Sequence, residues 1–134
     1  LRHGPAGSLA LNQAIEAALK RRAGIAGAWW PGRLVLIAEN SYALGLYNGD
    51  LGVAWPDADG RMRVHVEAAG GALRAFAPAA LPAHEPAFAM TVHKSQGSEF
   101  AAVALVAGGA DHALLTRELL YTGVTRAQAR AELW

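Results

Sequence analysis

The chain contains no cysteine, and Lys20 and Lys94 are its only lysines. The lack of cysteine excludes disulfides and zinc sites built on thiolates. No apolar run approaches the roughly 18 residues of a membrane-spanning helix, and no secretory signal is recognisable. The formal net charge is only +1, so any nucleic-acid binding must come from a local cluster rather than a protein-wide basic field. We expect a cytoplasmic protein without membrane contact.

A phosphate-binding loop, G-x-x-x-x-G-K-[ST], is also absent, and so are recognisable Mg²⁺-binding carboxylates after it. The chain does not begin with methionine, and we expect it to be part of a longer protein. Its 134 residues are 53% hydrophobic, which is ample for the core of one domain with room for a small insertion.

The densest polar segment is residues 91–100, TVHKSQGSEF. The apolar runs at 87–90 and 101–106 flank it, and both are predicted to be buried strands. The segment is therefore a loop, with at most one helical turn, between two core strands. Loops at strand ends carry the chemistry of many α/β proteins.

Several residues of this segment suit a phosphorylated ligand. Gly97 would allow a backbone N–H to approach a phosphate closely. The side chains able to contact phosphate, sugar or water are Thr91, His93, Lys94, Gln96 and Glu99. Simpler roles are also open: a helix C-cap for Gly97, a structural histidine, a solvated lysine, a strand end at Thr91, and a local arginine partner for Glu99.

A second segment, residues 118–127 (ELLYTGVTRA), is predicted to be a helix. With 3.6 residues per turn, one face is apolar: Leu119, Leu120, Gly123, Val124 and Ala127. Arg126 lies at the edge of that face, where it would be positioned rather than free. Its planar fork suits a phosphate, although a solvated surface arginine is the simpler interpretation.

Upstream, residues 9–22 are predicted to form a helix. Leu11, Ile15 and Leu19 recur at i, i+4 and i+8, and Ser8 is a suitable N-cap. Trp29 and Trp30 follow this helix; they suit stacking on bases, but packing is the simpler role.

Residues 34–38 form a continuous apolar strand. Three short alternating runs follow between 47 and 85, separated by turn signals that include Asn48-Gly49, Asp57-Ala58-Asp59-Gly60 and Gly70-Gly71. Such spacing predicts a small antiparallel barrel. The residues at 57–60 only imitate the start of a calcium loop and are assigned to a hairpin turn. With a last strand at 131–134, the chain is α/β.

The sequences of residues 91–100 and 118–127 resemble motifs V and VI of superfamily 1 helicases. The resemblance is strongest to the RecD branch, which comprises the α subunit of exodeoxyribonuclease V and its stand-alone relatives. The upstream residues 31–40 and 43–52 resemble the same branch. The resemblance implies a second RecA-like domain with a small inserted Src-homology-3-like β-barrel. The domain would then comprise 1–46 (helix and first strand), 47–86 (barrel) and 87–134 (motifs V and VI).

The resemblance also implies roles for individual residues. Arg126 and Gln96 would be catalytic, and Gly97, Glu99 and Arg126 would bind nucleotide. The DNA-binding set would be Thr91, His93 and Lys94. The implied cofactors are ATP and Mg²⁺, with Mg²⁺ held mainly by a first RecA-like domain of the same parent chain. No metal is expected on this chain.

The implied function is that of the C-terminal motor domain of a bacterial ATP-dependent 5′→3′ DNA helicase in recombination and double-strand break repair. The isolated chain would be inactive. Its partners would be single-stranded DNA, the first RecA-like domain and RecB- and RecC-type subunits. Two alternatives stay open: a non-catalytic single-strand-binding module, and an assembly domain of a nuclease–helicase complex. The chain departs from the family's sequence pattern at Gly123, where the family more often has alanine or another small residue.

Overall fold

A computed structural model of the chain describes residues 2–68, 70–107 and 116–134. Its elements, in chain order, are α1 (Ser8–Ala23), β1 (Leu34–Ile37), β2 (Leu51–Pro56), β3 (Met62–Glu67), β4 (Leu73–Phe76), β5 (His84–Pro86), β6 (Phe100–Leu105), α2 (Arg117–Val124) and β7 (Ala127–Leu133). The chain divides into two compact units, residues 14–88 and residues 1–13 with 89–134. We call these the core unit and the motif unit.

The core unit is built on one antiparallel sheet with the strand order β4–β3–β2–β1–β5. In β1, Val35, Leu36 and Ile37 are at most 1% exposed, so both faces of this strand are covered. In β3, Val64 and Val66 are buried and alternate with less buried neighbours, as the period of two in a strand requires. One hydrophobic cluster joins these strands: Val35, Ile37, Leu46, Ala54, Val64, Val66 and Phe76.

The predicted β2–β3 hairpin is confirmed, and Asp57 closes it. The Oδ1 atom of Asp57 accepts hydrogen bonds from the backbone N–H groups of Asp59 (3.0 Å) and Arg61 (2.9 Å), and Oδ2 accepts from Arg63 Nε (3.1 Å). Gly60 supplies the positive φ of +80° that the turn needs. The hydrogen bond from the Arg61 backbone is the main reason that the pKa of Asp57 lies below its ordinary value. The segment that imitates a calcium loop is thus a turn held by backbone donors.

Two expectations for this region differ from the structure. The described strands form an open sheet whose edges are β4 and β5, so the expected closed barrel is not found. The strand at 34–38, which the sequence assigned to the RecA-like part (1–46), lies inside this antiparallel sheet as β1. It does so because its backbone pairs with β2 on one side and β5 on the other. The sheet therefore begins at Leu34 rather than within 47–86.

In the motif unit, β6 and β7 form a two-stranded parallel sheet, with α2 between them in sequence. The predicted strand after residue 100 and the predicted second helix are confirmed as elements. Their bounds differ, because α2 ends at Val124 and the last strand begins at Ala127 instead of 131. The expectation that β6 is a buried core strand is wrong: Ala101, Ala102 and Ala104 are exposed. Among the described residues, every buried hydrophobic side chain lies in the core unit.

The predicted strand at 87–90 is also absent, and Asn12 explains why. The carboxamide of Asn12 donates from Nδ2 to the carbonyl oxygen of Ala89 (2.7 Å) and accepts the Ala89 N–H at Oδ1 (2.8 Å). These two bonds occupy the backbone groups that a strand ladder would use. Asn12 itself is only 4% exposed.

Helix α1 forms where it was predicted and begins at Ser8. Its most buried residues, however, are the polar Ser8 and Asn12, whereas Leu19 is 38% exposed. The apolar spacing therefore located the helix but not the face that packs best. Within the described parts of the chain, no helix is both long and apolar enough to cross a membrane.

Candidate functional site

Residues 91–99 are a series of hydrogen-bonded turns organised around Ser95. Its backbone N–H donates to the carbonyl oxygens of Thr91 (3.1 Å) and Val92 (3.2 Å), and its hydroxyl donates to Val92 O at 2.7 Å. Its own carbonyl accepts the N–H of Ser98 at 3.0 Å. At 7% exposure, Ser95 is buried, whereas His93 and Gln96 of the same loop are exposed.

Gly97 has a φ of +83°, a conformation that favours glycine strongly over other residues. The position that a Cβ atom would occupy has no described atom within 4 Å. Gly97 is therefore required by the backbone turn and not by crowding, and the backbone here is open to an approaching group. Both parts of the sequence interpretation, a turn and an approachable backbone, are compatible with this geometry.

Helix α2 has a defined start and a defined end. The hydroxyl of Thr116 accepts the N–H of Leu119 at 3.1 Å and caps the N-terminus. At the other end, the Thr125 hydroxyl donates to the carbonyls of Tyr121 (2.8 Å) and Thr122 (3.1 Å). These bonds occupy C-terminal carbonyls of the helix, and Arg126 becomes the first residue beyond the cap.

The prediction that Arg126 lies on the helix is therefore wrong, but its side chain is held in place. Its Nε donates to the carbonyl oxygen of Thr122 (3.3 Å), and its Nη1 donates to the carbonyl oxygen of Ser98 (3.3 Å). The Arg126 carbonyl accepts the N–H of Phe100 at 2.8 Å. The half-buried guanidinium thus joins the end of α2 to the 91–99 turns.

Glu99 lies beside the same junction. Its Oε2 accepts a hydrogen bond from Gln128 Nε2 at 3.0 Å, and both side chains are exposed. The local arginine partner considered for Glu99 is replaced by a neutral carboxamide. Because Phe100 pairs with Ala127 in the β6–β7 register, Glu99 and Arg126 are neighbours across the start of the parallel sheet.

The other predicted site residues lie at the beginning and middle of the turns. Thr91 is half-buried, and its hydroxyl accepts the N–H of Lys94 at 3.3 Å. His93 and Gln96 are exposed and are linked through the His93 carbonyl and the Gln96 N–H at 3.4 Å. The structure therefore brings Arg126 together with Ser98 and Glu99, while the contacts described for Arg126 do not include Gln96.

Three residues of the site were missed from the sequence. Gln128 orients Glu99, Ser95 organises the turns, and Asn12 fixes Ala89 just before them. Gln128 and Ser95 are single polar residues with no periodic signal. The position of Asn12, four residues after Ser8 in α1, was available as a signal, because the two share one helix face.

This arrangement fits one side of a nucleotide site. Arg126 offers a cation with a planar fork, Gly97 an open backbone, and Glu99 a carboxylate for sugar hydroxyls. For Mg²⁺ the fit is poor. Residues 2–68, 70–107 and 116–134 contain no group of three or more histidine, aspartate or glutamate side chains that could hold a metal ion.

Comparison with known proteins places this geometry in a family. Residues 86–133 match the model of the UvrD-like helicase C-terminal domain. The chain is 42% identical to RecBCD enzyme subunit RecD of Mycolicibacterium smegmatis over 134 aligned residues. The aligned region covers 98% of the chain and 23% of that relative. It is also 32% identical to the ATP-dependent RecD2 DNA helicase of Deinococcus radiodurans, over 97% of the chain and 18% of that protein.

A third relative, RecBCD enzyme subunit RecD of Haemophilus influenzae, is 42% identical over 100 residues, 75% of this chain and 14% of its own length. The chain thus spans less than a quarter of these relatives. It is the C-terminal region of a superfamily 1 helicase. Within that class it belongs to the RecD type. The C-terminal domain model matches residues 86–133, and the similarity to the RecD subunit extends along nearly the whole chain.

Proposed function

We propose that this chain is the C-terminal motor domain of a bacterial, cytoplasmic ATP-dependent 5′→3′ DNA helicase that acts in recombination and double-strand break repair. In this role it completes an ATP site whose phosphate loop and Mg²⁺ ligands belong to a first RecA-like domain of the same polypeptide. The observation that carries the proposal is the attachment of Arg126 to the Ser98 carbonyl, which joins motif VI to motif V.

Arg126 acts on the γ-phosphate from the side opposite the phosphate loop. Two carbonyl acceptors, on Ser98 and Thr122, hold the guanidinium before nucleotide arrives. A positioned cation stabilises the charge of the transition state without reorganising first. Gln96, Gly97 and Glu99 line the nucleotide side, with Gln128 orienting Glu99. Bound ATP with Mg²⁺ supplies the energy of phosphoryl transfer.

The same turns contact single-stranded DNA through Thr91, His93 and Lys94. Because Ser95 hydrogen-bonds both Thr91 and Val92 and also accepts from Ser98, the DNA side and the nucleotide side share one hydrogen-bonded unit. A shift of Arg126 on hydrolysis would therefore reach Thr91 through the Ser98 and Ser95 backbone. Such coupling is what cleft closure and opening along a strand requires. RecB- and RecC-type subunits are the proposed protein partners.

The test is single-strand-stimulated ATP hydrolysis by the helicase polypeptide that carries this segment, wild type against Arg126→Ala. We expect kcat to fall by roughly 10³–10⁵, the range for such arginines in other NTPases, while single-strand affinity is kept. Arg130→Ala is the matched control, because Arg130 lies four residues away on β7, is 72% exposed and pairs with Glu132.

An unchanged kcat in Arg126→Ala would contradict the assignment of the arginine. A wild-type protein that binds single-stranded DNA without hydrolysing ATP would favour the non-catalytic binding module. A protein that does neither but assembles with RecB- and RecC-type subunits would favour the assembly domain.

A further inference from the structure

The motif unit is assembled from two segments that are far apart in sequence, residues 1–13 and residues 89–134. The chain leaves the first segment after Gln13 and enters the second at Ala89. Asn12 and Ala89, which lie at these two crossings, are joined by two hydrogen bonds of 2.7 Å and 2.8 Å. These bonds fix the first residue of the segment that carries the proposed ATP and DNA contacts.

The carboxamide of Asn12 takes the place of a neighbouring strand. In an extended chain, the N–H and C=O groups of one residue point to the same side, and a partner strand satisfies both. Here Nδ2 donates to the Ala89 carbonyl and Oδ1 accepts the Ala89 N–H, so one side chain satisfies the pair. An ionised carboxylate only accepts hydrogen bonds and an ammonium only donates them, whereas an amide does both.

The burial of Asn12 is not explained by packing alone. Asn12 is 4% exposed, and Ser8, one turn earlier on the same face of α1, is 7% exposed. Asparagine is seldom buried this deeply, and an apolar side chain would fill the position without needing partners. An amide at this position therefore serves the backbone of Ala89, which is half-buried.

The hydrogen-bonded turns that follow are held from both ends. Downstream, Arg126 donates to the Ser98 carbonyl at 3.3 Å. Upstream, Ala89 lies two residues before Thr91, whose carbonyl accepts the Ser95 N–H at 3.1 Å. The upstream anchor is thus the one nearer the predicted DNA contacts, and the downstream anchor is the one nearer the predicted nucleotide contacts.

We propose that Asn12 is a positioning residue for the DNA side of the turns, acting through Ala89 on Thr91 and His93. The assignment to DNA rests on the proposed helicase function. Because the two anchors hold opposite ends, they should govern different kinetic quantities. Without Asn12, Thr91 and His93 are no longer fixed in advance, and single-stranded DNA must order them as it binds. Without Arg126, by contrast, the turnover of bound ATP falls.

The test is ATP hydrolysis by the helicase polypeptide that carries this segment, titrated with oligothymidylate. Wild type is compared with Asn12→Leu, which fills the space without hydrogen bonds, and with Asn12→Asp. In the second variant an ionised carboxylate faces the Ala89 carbonyl, which the amide approaches to 2.7 Å. We expect the DNA concentration for half-maximal stimulation to rise about tenfold in both variants. The kcat at saturating DNA and the KM for ATP should stay close to the wild-type values.

The pH dependence of the two variants separates hydrogen bonding from packing. A protonated carboxyl group has one donor and one acceptor, like the amide that it replaces, and burial raises the pKa of such a group. As the pH is lowered through that pKa, Asn12→Asp should recover toward wild type measured at the same pH. Asn12→Leu has no group that could be protonated, so its ratio to wild type should stay constant.

Gln13 provides the matched controls, because it is the next residue of α1 and is exposed. Gln13→Leu and Gln13→Glu make the corresponding changes from amide to apolar group and from amide to acid. Both should match wild type in every kinetic quantity. Thermal unfolding of each polypeptide, followed by circular dichroism, separates a lost position from lost folding.

An unchanged half-maximal DNA concentration in Asn12→Leu, with hydrolysis intact in wild type, would overturn the proposal and leave the proposed function standing. Equal losses in kcat and DNA affinity, or no recovery of Asn12→Asp in acid, would also overturn it and make Asn12 a structural residue. If wild type hydrolyses no ATP, the proposed function fails. Direct binding of a fluorescent oligothymidylate then decides, and equal affinities of wild type and Asn12→Leu would overturn the positioning role.

Discussion

The core unit and the motif unit of this chain distribute stability and chemistry differently. All buried hydrophobic side chains among the described residues belong to the core unit, where β1 is covered on both faces. The motif unit contains every residue assigned to the ATP site, yet its buried side chains are the polar Ser8, Asn12 and Ser95. Hydrogen bonds, rather than apolar packing, therefore position the candidate site.

This difference has a consequence for dynamics. A segment with few buried apolar contacts opens at low free energy, and elements that move during a catalytic cycle are drawn from such segments. The β6–β7 pair, with alanines exposed on β6 and Leu133 65% exposed on β7, has this character. In the core unit, by contrast, the sheet packs on a buried apolar cluster.

The largest expected effect is on the core cluster. Ile37→Ala removes a side chain that is 0% exposed, and we expect a loss of about 2–5 kcal/mol in the free energy of unfolding. Leu133→Ala in the motif unit is the contrast and should cost less than about 0.5 kcal/mol, as exposed substitutions do. Urea unfolding followed by circular dichroism measures both. Equal losses would show that the motif unit also carries a packed core.

Two glycine substitutions sharpen the same contrast. In Gly52→Ala the new Cβ would lie 2.7 Å from Val64 Cγ1 and 3.1 Å from Val66 Cγ2, both on buried residues. We expect a loss of about 1–3 kcal/mol from overpacking. In Gly123→Ala the Cβ would lie 2.8 Å from Leu105 Cδ1, the end of a partly exposed side chain that can turn away.

For Gly123→Ala, the gain in helix propensity, about 1 kcal/mol, opposes the movement of the leucine. We therefore expect almost no change in the urea midpoint. A loss as large as that of Gly52→Ala would mean that the motif unit is as tightly packed as the core unit.

A smaller effect is expected at Gln128, where the motif unit relies on one exposed hydrogen bond. Gln128→Ala should raise the KM of the helicase polypeptide for ATP about threefold, as expected for a weak hydrogen bond, with kcat unchanged. Gln128→Glu should raise it further, because a second carboxylate would repel Glu99. Steady-state kinetics at saturating DNA measures both variants. A fall in kcat without a change in KM would contradict an orienting role.

The smallest effect concerns the hairpin turn of the core unit. Hydrogen bonds from the Arg61 backbone, the Arg63 side chain and the Asp59 backbone lower the pKa of Asp57 below 3.8. Its stabilisation is therefore present above pH 3.8 and is lost as the pH falls through the lower pKa of the folded state. Thermal unfolding should show Asp57→Asn less stable than wild type near neutral pH, with the difference shrinking in acid.

Asp59→Asn is the control, because only the backbone of Asp59 joins this network. Its unfolding temperature should follow that of wild type at every pH. A pH-independent difference between wild type and Asp57→Asn would rule out the carboxylate as the cause.

Much of the fold was predictable because its signals are local. Asp57, Gly60 and the Gly70-Gly71 pair marked the two hairpins, and the apolar spacing located α1. The sheet to which β1 belongs was not predictable. An unbroken run such as Leu34–Ile37 suits a central strand in a parallel sheet and equally a central antiparallel strand covered on both faces.

The candidate site was also predictable only in part. The sequences of residues 91–100 and 118–127 located its residues. In the structure, Arg126 contacts the 91–99 turns through the Ser98 carbonyl, a contact that the sequence did not predict. Helical periodicity alone extended the predicted helix through Arg126, because nothing periodic reveals that α2 ends at Val124. The helix face shared by Ser8 and Asn12 was a local signal, but it could not reveal that the partner of Asn12 is Ala89, 77 residues away.

Hydrogen–deuterium exchange of the chain tests the central claim most directly, that the site-bearing unit is the less stable of the two. We expect the amides of β1, β2 and β3 to exchange roughly 100-fold or more slowly than those of β6 and β7, because only the former require opening of a buried apolar core. Equal protection in both sheets would contradict this account.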